Sequence, residues 1–442
     1  MKEIVRKTLR PSRGLVTALA GLGILLVASG AYGGAALNPI IFVHGGSGSG
    51  AQFESQAMRF ASNGYPHEYV RVLEYDSSAI GAILPDVLAD LDALIAELQA
   101  ETGRPQVDLL GHSLGTFVSQ TYLSTPARAA TVAHYVNIDG ASAPAPPGGV
   151  PTLALWAGAS PPIGDIVGAL NVTIPDQEHV EVATSPESFA EMYQIFRGEA
   201  PATTDIMPEP PGRVFVSGQV NLFPQNEGID GAVLEVWEVR PATGLRKKKK
   251  PLATALIDET GDWGPIKVHG HKRYEFAVLR AGEADINFFY EPFPRSDHLI
   301  RLNIATGLEP FIDASDDHTA LTVVRYKEFC GDLGAGSDVL SIDGTDVINP
   351  TTASCATVAS GAAAVFAFDD NSDGVSNVTS VPFPFSVLAF LTATDLFIPS
   401  DPPATVSVVT IPRGGGGART VNVPNLPSSD ARVVVQLHDF EP

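Results

Sequence analysis

The feature that most constrains this chain is a glycine–serine motif placed between a strand and a helix. Residues 111–115 read Gly-His-Ser-Leu-Gly; they follow the apolar stretch Val107–Leu110 and precede a helical pattern that starts near Thr116. This is the strand–turn–helix setting that a G-x-S-x-G motif requires. The turn is so tight that side chains at either glycine position would collide. The sequence therefore predicts that Ser113 is an outward-facing nucleophile at the edge of a sheet.

The region around this motif alternates apolar strands with amphipathic helices. The expected strands are Pro39–Val43, Tyr69–Tyr75, Val107–Gly111, Val132–Ile138 and Thr152–Trp156. Between the second and third of them, Ile83–Gln99 carries apolar residues at helical spacing and predicts a helix that covers the sheet. This alternation predicts an α/β fold, a parallel sheet with helices on both faces. Together with the G-x-S-x-G setting it indicates the α/β-hydrolase class.

The character of the chain changes after Pro201. The proline-rich stretch Pro208–Gly212 leads into short β-branched segments separated by turn residues. The first expected strands are Val214–Val220, Ala232–Val239, Leu252–Asp258 and Tyr274–Arg280. Their spacing is typical of a small sandwich, so the second half is predicted to be all-β. The expected organisation is a catalytic domain over residues 36–207, a linker over 208–212, a β-sandwich over 213–310 and a second β unit over 320–442.

The first forty residues have the pattern of an export signal. Basic residues precede an apolar run from Leu15 to Ser29, and small residues that offer cleavage sites follow it. We expect a signal peptide over residues 1–33 and a secreted or periplasmic protein, with an uncleaved anchor as the alternative. The formal net charge is −22. Such a field repels nucleic acid and anionic lipid, so neither is expected as a partner.

A serine hydroxyl is a weak nucleophile at neutral pH and needs a base that takes its proton. In this fold the base follows both the nucleophile and the acid along the chain. His179 is the only histidine between residue 134 and the end of the predicted catalytic domain, and it precedes an expected helix over Pro186–Phe196. His179 is therefore the predicted base.

Two aspartates compete for the role of the acid that orients the base. Asp139 follows the expected strand Val132–Ile138 directly, which places its carboxylate at the carboxyl edge of the sheet. Asp165 is the rival, since the acid often follows the next strand, but it lies late in that loop. We favour Asp139.

Backbone N–H groups must bind the negative oxygen of the tetrahedral intermediate. The loop that begins His44-Gly45-Gly46 after the first strand is the usual source of one such donor, and the residue after the nucleophile supplies the other. The predicted oxyanion hole is formed by the N–H groups of Gly46 and Leu114. Acyl transfer of this kind requires no cofactor.

Several further segments resemble the archaeal two-domain carboxylesterase/lipase family. They are Phe42–Gly45, Gln52–Gln56, Met58–Ala61, Asn63–Pro66, Glu68–Val70, Val107–Phe117, Thr184–Phe189, Pro201–Ile206 and, in the β half, Val324–Glu328. The resemblance covers most of residues 39–206. It implies Ser113, Asp139 and His179 as the catalytic triad, and a C-terminal β domain that helps long acyl chains bind.

The chain departs from this family in two places. Family members carry a long insertion after the strand that corresponds to Tyr69–Tyr75, where it forms a helical lid, whereas only Asp76–Ala82 occupies that place here. Gly46 also replaces a bulkier residue of the oxyanion loop. Both departures suggest a more open site, which would admit bulky or polymeric esters.

Two patterns in the β half leave alternatives open. Cys330 and Cys355 could close a disulfide loop or remain two buried free thiols. Asp369, Asn371 and Asp373 match the first half of a calcium loop. Position twelve of that pattern is a serine where a glutamate is needed, so a turn capped by aspartate and asparagine side chains is favoured over a structural Ca²⁺ site.

The sequence as a whole predicts a secreted serine carboxylesterase or lipase that hydrolyses acyl esters. Its expected partner is a small-molecule or lipid ester, with transient contact to a lipid or polymer surface. One alternative is an extracellular polyester hydrolase whose β half binds the polymer. Another is a surface-binding protein whose hydrolase fold has lost activity.

Overall fold

The structure is a computed structural model that describes residues 37–159, 161, 163–357 and 361–441. The expected signal peptide lies outside these ranges. Among the helices of the described ranges, none combines the length and the apolar character needed to cross a membrane.

The first part of the chain forms a six-stranded parallel sheet with helices on both faces. Its strands are β1 (Ile40–Val43), β2 (Val70–Leu73), β3 (Val107–His112), β4 (Val132–Ile138), β5 (Thr152–Ala157) and β6 (Leu170–Ile174). They lie in the order β2-β1-β3-β4-β5-β6. The helices are α1 (Glu54–Ser62), α2 (Ile80–Thr102), α3 (Leu114–Leu123), α4 (Pro126–Ala129), α5 (Glu181–Thr184) and α6 (Pro186–Arg197). This arrangement confirms the α/β-hydrolase fold predicted from the sequence.

Each face of this sheet has its own apolar core. On β1, Ile40 and Phe42 join one core, whereas Ile41 and Val43 join the other, because successive side chains of a strand point to opposite faces. The helix predicted over residues 83–99 is α2, which packs its apolar stripe against the second core. Only residues 74–79 separate β2 from α2, so the short connection expected in place of a lid is present.

The second part of the chain is built from strands. They are β7 (Val214–Leu222), β8 (Glu227–Gly228), β9 (Val233–Val239), β10 (Ala253–Leu256), β11 (Asp262–Val268), β12 (Arg273–Leu279), β13 (Asp285–Tyr290), β14 (Asp297–Ile304), β15 (Leu321–Phe329), β16 (Val339–Ile342), β17 (Thr345–Asp346), β18 (Ala362–Phe368), β19 (Leu391–Asp395), β20 (Thr405–Ile411), β21 (Arg419–Pro424) and β22 (Ala431–Gln436). The prediction that this half is a β region is confirmed.

One sheet runs through both of the predicted β units. Its strand order is β10-β9-β12-β13-β22-β15-β18-β19. The last strand of the chain, β22, lies between the two units and pairs in parallel with β13 on one side and with β15 on the other. A sheet of four further strands, β11-β7-β14 with β8 paired to β7, packs against the first part of this long sheet around a shared apolar core.

Candidate active site

Ser113 occupies the sharp turn between β3 and α3. Its backbone has φ 52° and ψ −120°, a conformation that L-residues rarely adopt. A Cβ atom added to Gly111 would lie 2.6 Å from the carbonyl oxygen of Gly115, and one added to Gly115 would overlap the carbonyl oxygen of Val43. Glycine is therefore required at both positions, because the neighbouring backbone leaves no room for a side chain, as the sequence predicts.

His179 and Asp139 are in direct contact. His179 Nδ1 lies 2.6 Å from Asp139 Oδ2, and both side chains are largely buried. The other carboxylate oxygen, Oδ1, accepts a hydrogen bond of 3.0 Å from the backbone N–H of Ala157. Strands β4 and β5 are parallel neighbours, so their carboxyl ends lie side by side. The last residue of β5, Ala157, therefore holds the carboxylate of Asp139, which directly follows β4.

Asp165 is placed elsewhere. It is exposed, and its backbone N–H donates to Ser142 Oγ at 3.1 Å. Of the two rival aspartates, the structure brings only Asp139 to the imidazole of His179.

His112 connects the serine turn with the segment that carries His179. The ring centroids of His112 and His179 are 4.6 Å apart, and His112 Nε2 lies 2.9 Å from the backbone carbonyl oxygen of His179. His112 Nδ1 lies 2.9 Å from Gln52 Nε2. Burial lowers the pKa of His112 well below its ordinary value, and the charge of His179 lowers that pKa further. His112 is thus a neutral imidazole that donates from Nε2 and accepts at Nδ1.

The loop after β1 packs directly against the serine. A Cβ atom added to Gly45 would lie 2.9 Å from Ser113 Cβ. A Cβ atom added to Gly46 would meet only Leu114 Cδ2, at 3.9 Å. Gly46 and Leu114, the two residues predicted to supply the oxyanion hole, therefore lie near each other beside the turn.

Residues of the first β unit hold this same loop. The side-chain amide of Asn226 donates to the carbonyl oxygen of Gly48 at 2.9 Å and also contacts His44 Nε2 at 3.2 Å. Asn303 Nδ2 donates to Ser49 Oγ at 2.8 Å. Sequence reasoning missed these residues, since no local pattern marks them; only the folded chain brings positions about 180 or 250 residues apart into contact.

A largely apolar cavity lies beside the site, between the predicted oxyanion loop and the two β units. Its volume is about 140 Å³, roughly ten times what one water molecule requires. Its lining includes Ser47, Ser49, Phe288, Val324, Phe366 and Phe390. Strand β15 lines it with Thr322, Val324 and Tyr326, which share one face because side chains alternate along a strand.

The two patterns of the second β unit have different outcomes. Cys330 and Cys355 form a disulfide with a Cα–Cα distance of 5.3 Å, so they are not free thiols. The Asp369 carboxylate accepts from the backbone N–H of Gly374, and the Asp373 carboxylate from that of Val375, as in an aspartate-capped turn. The calcium site stays a weak sequence-based candidate.

Comparison with known proteins gives matches along most of the described chain. Residues 37–127 match the family model of class 2 lipases, residues 212–306 match that of the lipase C-terminal domain, and residues 307–441 match a model described as a C-terminal domain. The search of curated proteins found no match.

Three solved structures are among those to which the chain shows some similarity. The lin2722 product from Listeria innocua is 16% identical, with 38% of this chain and 97% of that chain covered and a TM-score of 0.30. A predicted CIB-like hydrolase from Thermoplasma acidophilum is 16% identical, with 36% and 85% covered and a TM-score of 0.27. Phospholipase PlaB from Legionella pneumophila is 10% identical, with 62% and 97% covered and a TM-score of 0.25. Taken with its fold, the matches to the two lipase family models identify the chain as a lipase-like α/β hydrolase with a C-terminal β region.

Proposed function

We propose that this chain is an exported serine carboxylesterase that hydrolyses acyl esters. Ser113 is the nucleophile, His179 is the general base and Asp139 orients the base. The observation that carries the proposal is the 2.6 Å contact between His179 and Asp139, with the imidazole beside the turn that holds Ser113.

The reaction proceeds through an acyl-enzyme. Ser113 Oγ attacks the ester carbonyl carbon while His179 Nε2 takes the hydroxyl proton, and His179 then gives this proton to the leaving alcohol. A water molecule attacks the acyl-enzyme with the same base, which releases the carboxylic acid and restores the serine. The N–H groups of Gly46 and Leu114 bind the oxyanion in both tetrahedral intermediates. Asp139 accepts the Nδ1 proton of His179 throughout and stabilises the imidazolium.

The cavity beside the site supports an acyl chain as the apolar part of the substrate. It begins at the oxyanion loop and at Phe390, and aliphatic and aromatic side chains form most of its wall. A sheltered apolar cavity suits a lipid-like acyl group better than a broad polymer surface. This observation favours esters of lipid-like acyl chains over polymeric esters. It agrees with the family resemblance, which implies that the β region helps long acyl chains bind.

Export is supported by the signal-like pattern of residues 1–33 and by the disulfide between Cys330 and Cys355. Structural disulfides persist in oxidising compartments and are rare in the reducing cytosol of most cells.

A p-nitrophenyl ester panel and a fluorophosphonate probe test the proposal. We expect turnover and labelling in the wild type, and the loss of both in Ser113→Ala. Ser124→Ala, an exposed serine at the other end of α3, is the matched control and should keep both. Turnover that survives in Ser113→Ala, or a wild type that the probe does not label, would refute the proposal; the second result would favour an inactive hydrolase fold.

A further inference from the structure

The peptide unit that follows His179 is held from two sides. Its carbonyl oxygen, on His179, accepts a hydrogen bond of 2.9 Å from His112 Nε2. Its N–H group, on Val180, donates to Glu328 Oε1. The first partner is the residue next to Ser113, and the second belongs to β15 of the second β unit.

Glu328 is well suited to hold this segment. It is 1% exposed, and its second oxygen, Oε2, accepts from the backbone N–H of Glu181 at 3.0 Å. Arg413, also of the second β unit, donates to the backbone carbonyl of Glu328 and pairs with the carboxylate of Glu181. A buried carboxylate is costly unless its hydrogen bonds are satisfied, and here two backbone N–H groups satisfy it.

The direction in which the His179 side chain points depends on this peptide. Four contacts position the imidazole: Asp139 binds Nδ1, Phe390 packs on the ring face, the ring of His112 lies 4.6 Å away, and the clamped peptide sets where the side chain leaves the backbone. Phe390 and Glu328 both come from the second β unit. Among the residues that the structure describes, removal of the carboxylate would leave the His112 bond as the remaining hydrogen bond to this peptide.

We propose that Glu328 is a positioning residue for the base, through the clamp that it and His112 form on the peptide between His179 and Val180. The second β unit is thereby part of the active-site architecture as well as a wall of the acyl cavity. This inference rests on the proposed function of His179.

The decisive variant is Glu328→Gln, measured in the full chain. An amide keeps one acceptor but presents an NH₂ group to one of the two N–H donors, so Glu328→Gln loses one of the two hydrogen bonds that hold the Val180 and Glu181 N–H groups. We expect kcat per folded molecule on a p-nitrophenyl ester to fall by roughly tenfold to 100-fold, with KM changed less than about twofold, because a base displaced by a fraction of an ångström loses rate and not substrate binding. The NMR resonance of the His179 Nδ1 proton, assigned by its loss in Asp139→Asn, should also shift or broaden.

Lys327→Met is the matched control. Lys327 precedes Glu328 on β15, and its Nζ pairs with the carboxylate of the same Glu181 at 2.7 Å; its side chain makes no hydrogen bond to the clamped peptide in the described part of the chain. Lys327→Met should keep the wild-type kcat and the His179 Nδ1 resonance, even if it loses as much thermal stability as Glu328→Gln. If Glu328→Gln does not fold, Glu328→Asp keeps the charge but is one methylene shorter, and it should fold and still lose kcat.

The outcomes separate the two proposals. Ser113-dependent turnover in the wild type with an unchanged kcat in folded Glu328→Gln, or in folded Glu328→Asp, overturns the positioning role alone. Equal loss of kcat in Lys327→Met would also overturn it, since the effect would then belong to the interface as a whole. Absence of Ser113-dependent turnover in the wild type would overturn the proposed function, and the positioning role with it.

Discussion

The ring of Phe390 stacks on the imidazole of His179, with ring centroids 5.4 Å apart and planes inclined by 17°. Phe390 also lines the apolar cavity, and its backbone has φ 62°, which a bulky residue rarely adopts. Surrounding structure must hold such a conformation; the N–H groups of Ala363 and Ala364 both donate to the carbonyl oxygen of Phe390. One aromatic ring therefore contacts both the proposed base and the cavity, which places the cavity beside the proposed base.

Filling the cavity should shorten the acyl chain that the protein prefers. Val324→Trp adds an indole to the cavity-lining face of β15. We expect kcat/KM for octanoyl and longer p-nitrophenyl esters to fall about tenfold or more, and that for acetyl and butyryl esters to change little, because each buried CH₂ contributes about 0.8 kcal/mol. Val375→Trp, at an exposed position of the same β unit, is the control. An unchanged chain-length profile in Val324→Trp would show that the acyl group lies elsewhere.

The two candidate acids give a direct test of the triad. Asp139→Asn replaces the acceptor of the His179 Nδ1 proton and allows the wrong tautomer, so kcat should fall by about 10⁴-fold with the fold preserved. Asp165→Asn is a matched control at an exposed site and should keep wild-type kcat. Steady-state kinetics on one soluble ester suffice. A larger loss in Asp165→Asn than in Asp139→Asn would reverse the assignment of the acid.

Asn226 should matter for catalysis although it lies in the first β unit. Its amide holds Gly48 of the oxyanion loop, and its backbone has φ 57°. Asn226→Gly removes the side-chain amide, but glycine readily adopts this positive φ. A fall in kcat would therefore reflect the lost contact with the loop and not backbone strain. We expect kcat to fall about tenfold, less than the 10²- to 10³-fold typical of losing an oxyanion donor outright.

The neighbouring Gln225 is exposed and offers the control for this experiment, Gln225→Ala. Equal kcat in Asn226→Gly and Gln225→Ala would mean that the first β unit does not support the oxyanion loop.

Local signals in the sequence account for much of the catalytic domain. The strand predicted over Val132–Ile138 has these same bounds in the structure, because its apolar run ends sharply at Asp139. Strand β6 was not predicted, since it lies at the sheet edge, leaves most of its residues exposed and so lacks the apolar run of the inner strands. The order rule of the fold and the G-x-S-x-G setting predict His179 as the base and Ser113 as the nucleophile.

The contribution of the β region to the site could not be predicted in the same way. Glu328 reaches Val180 across 148 positions, and Asn226 reaches Gly48 across 178. Neither residue stands in a local motif whose spacing reports the contact. Likewise, the insertion of β22 between two β units depends on pairings that only the folded chain reveals.

A buried carboxyl pair at the boundary of the catalytic domain predicts how stability changes with pH. Glu54 of α1 and Asp297 of β14 share a hydrogen bond; burial raises the pKa of Glu54 well above its ordinary value, and the charges of Asp297 and Asp439 raise it further. Burial also raises the pKa of Asp297, to about 6. The folded protein thus holds protons that the unfolded chain releases near pH 4.

The sign of the effect follows from this proton balance. An acid whose pKa is higher in the folded state contributes stability below its unfolded pKa and loses that stability as pH rises through the folded pKa. For Asp297 the loss begins near pH 4, the unfolded pKa, and is essentially complete above about pH 6, the folded pKa. We therefore expect the wild-type melting temperature to fall between pH 4.5 and pH 8.

Glu54→Gln should flatten this dependence. The amide can donate to Asp297 at every pH, so it replaces the shared proton and removes one of the two charges that repel at high pH. The variant should melt several degrees above the wild type at pH 8, and the difference should shrink toward pH 4.5. Glu97→Gln, an exposed glutamate of α2, changes the net charge equally and serves as the control. Parallel melting curves for wild type, Glu54→Gln and Glu97→Gln across the whole range would show that the carboxyl pair does not set the pH response.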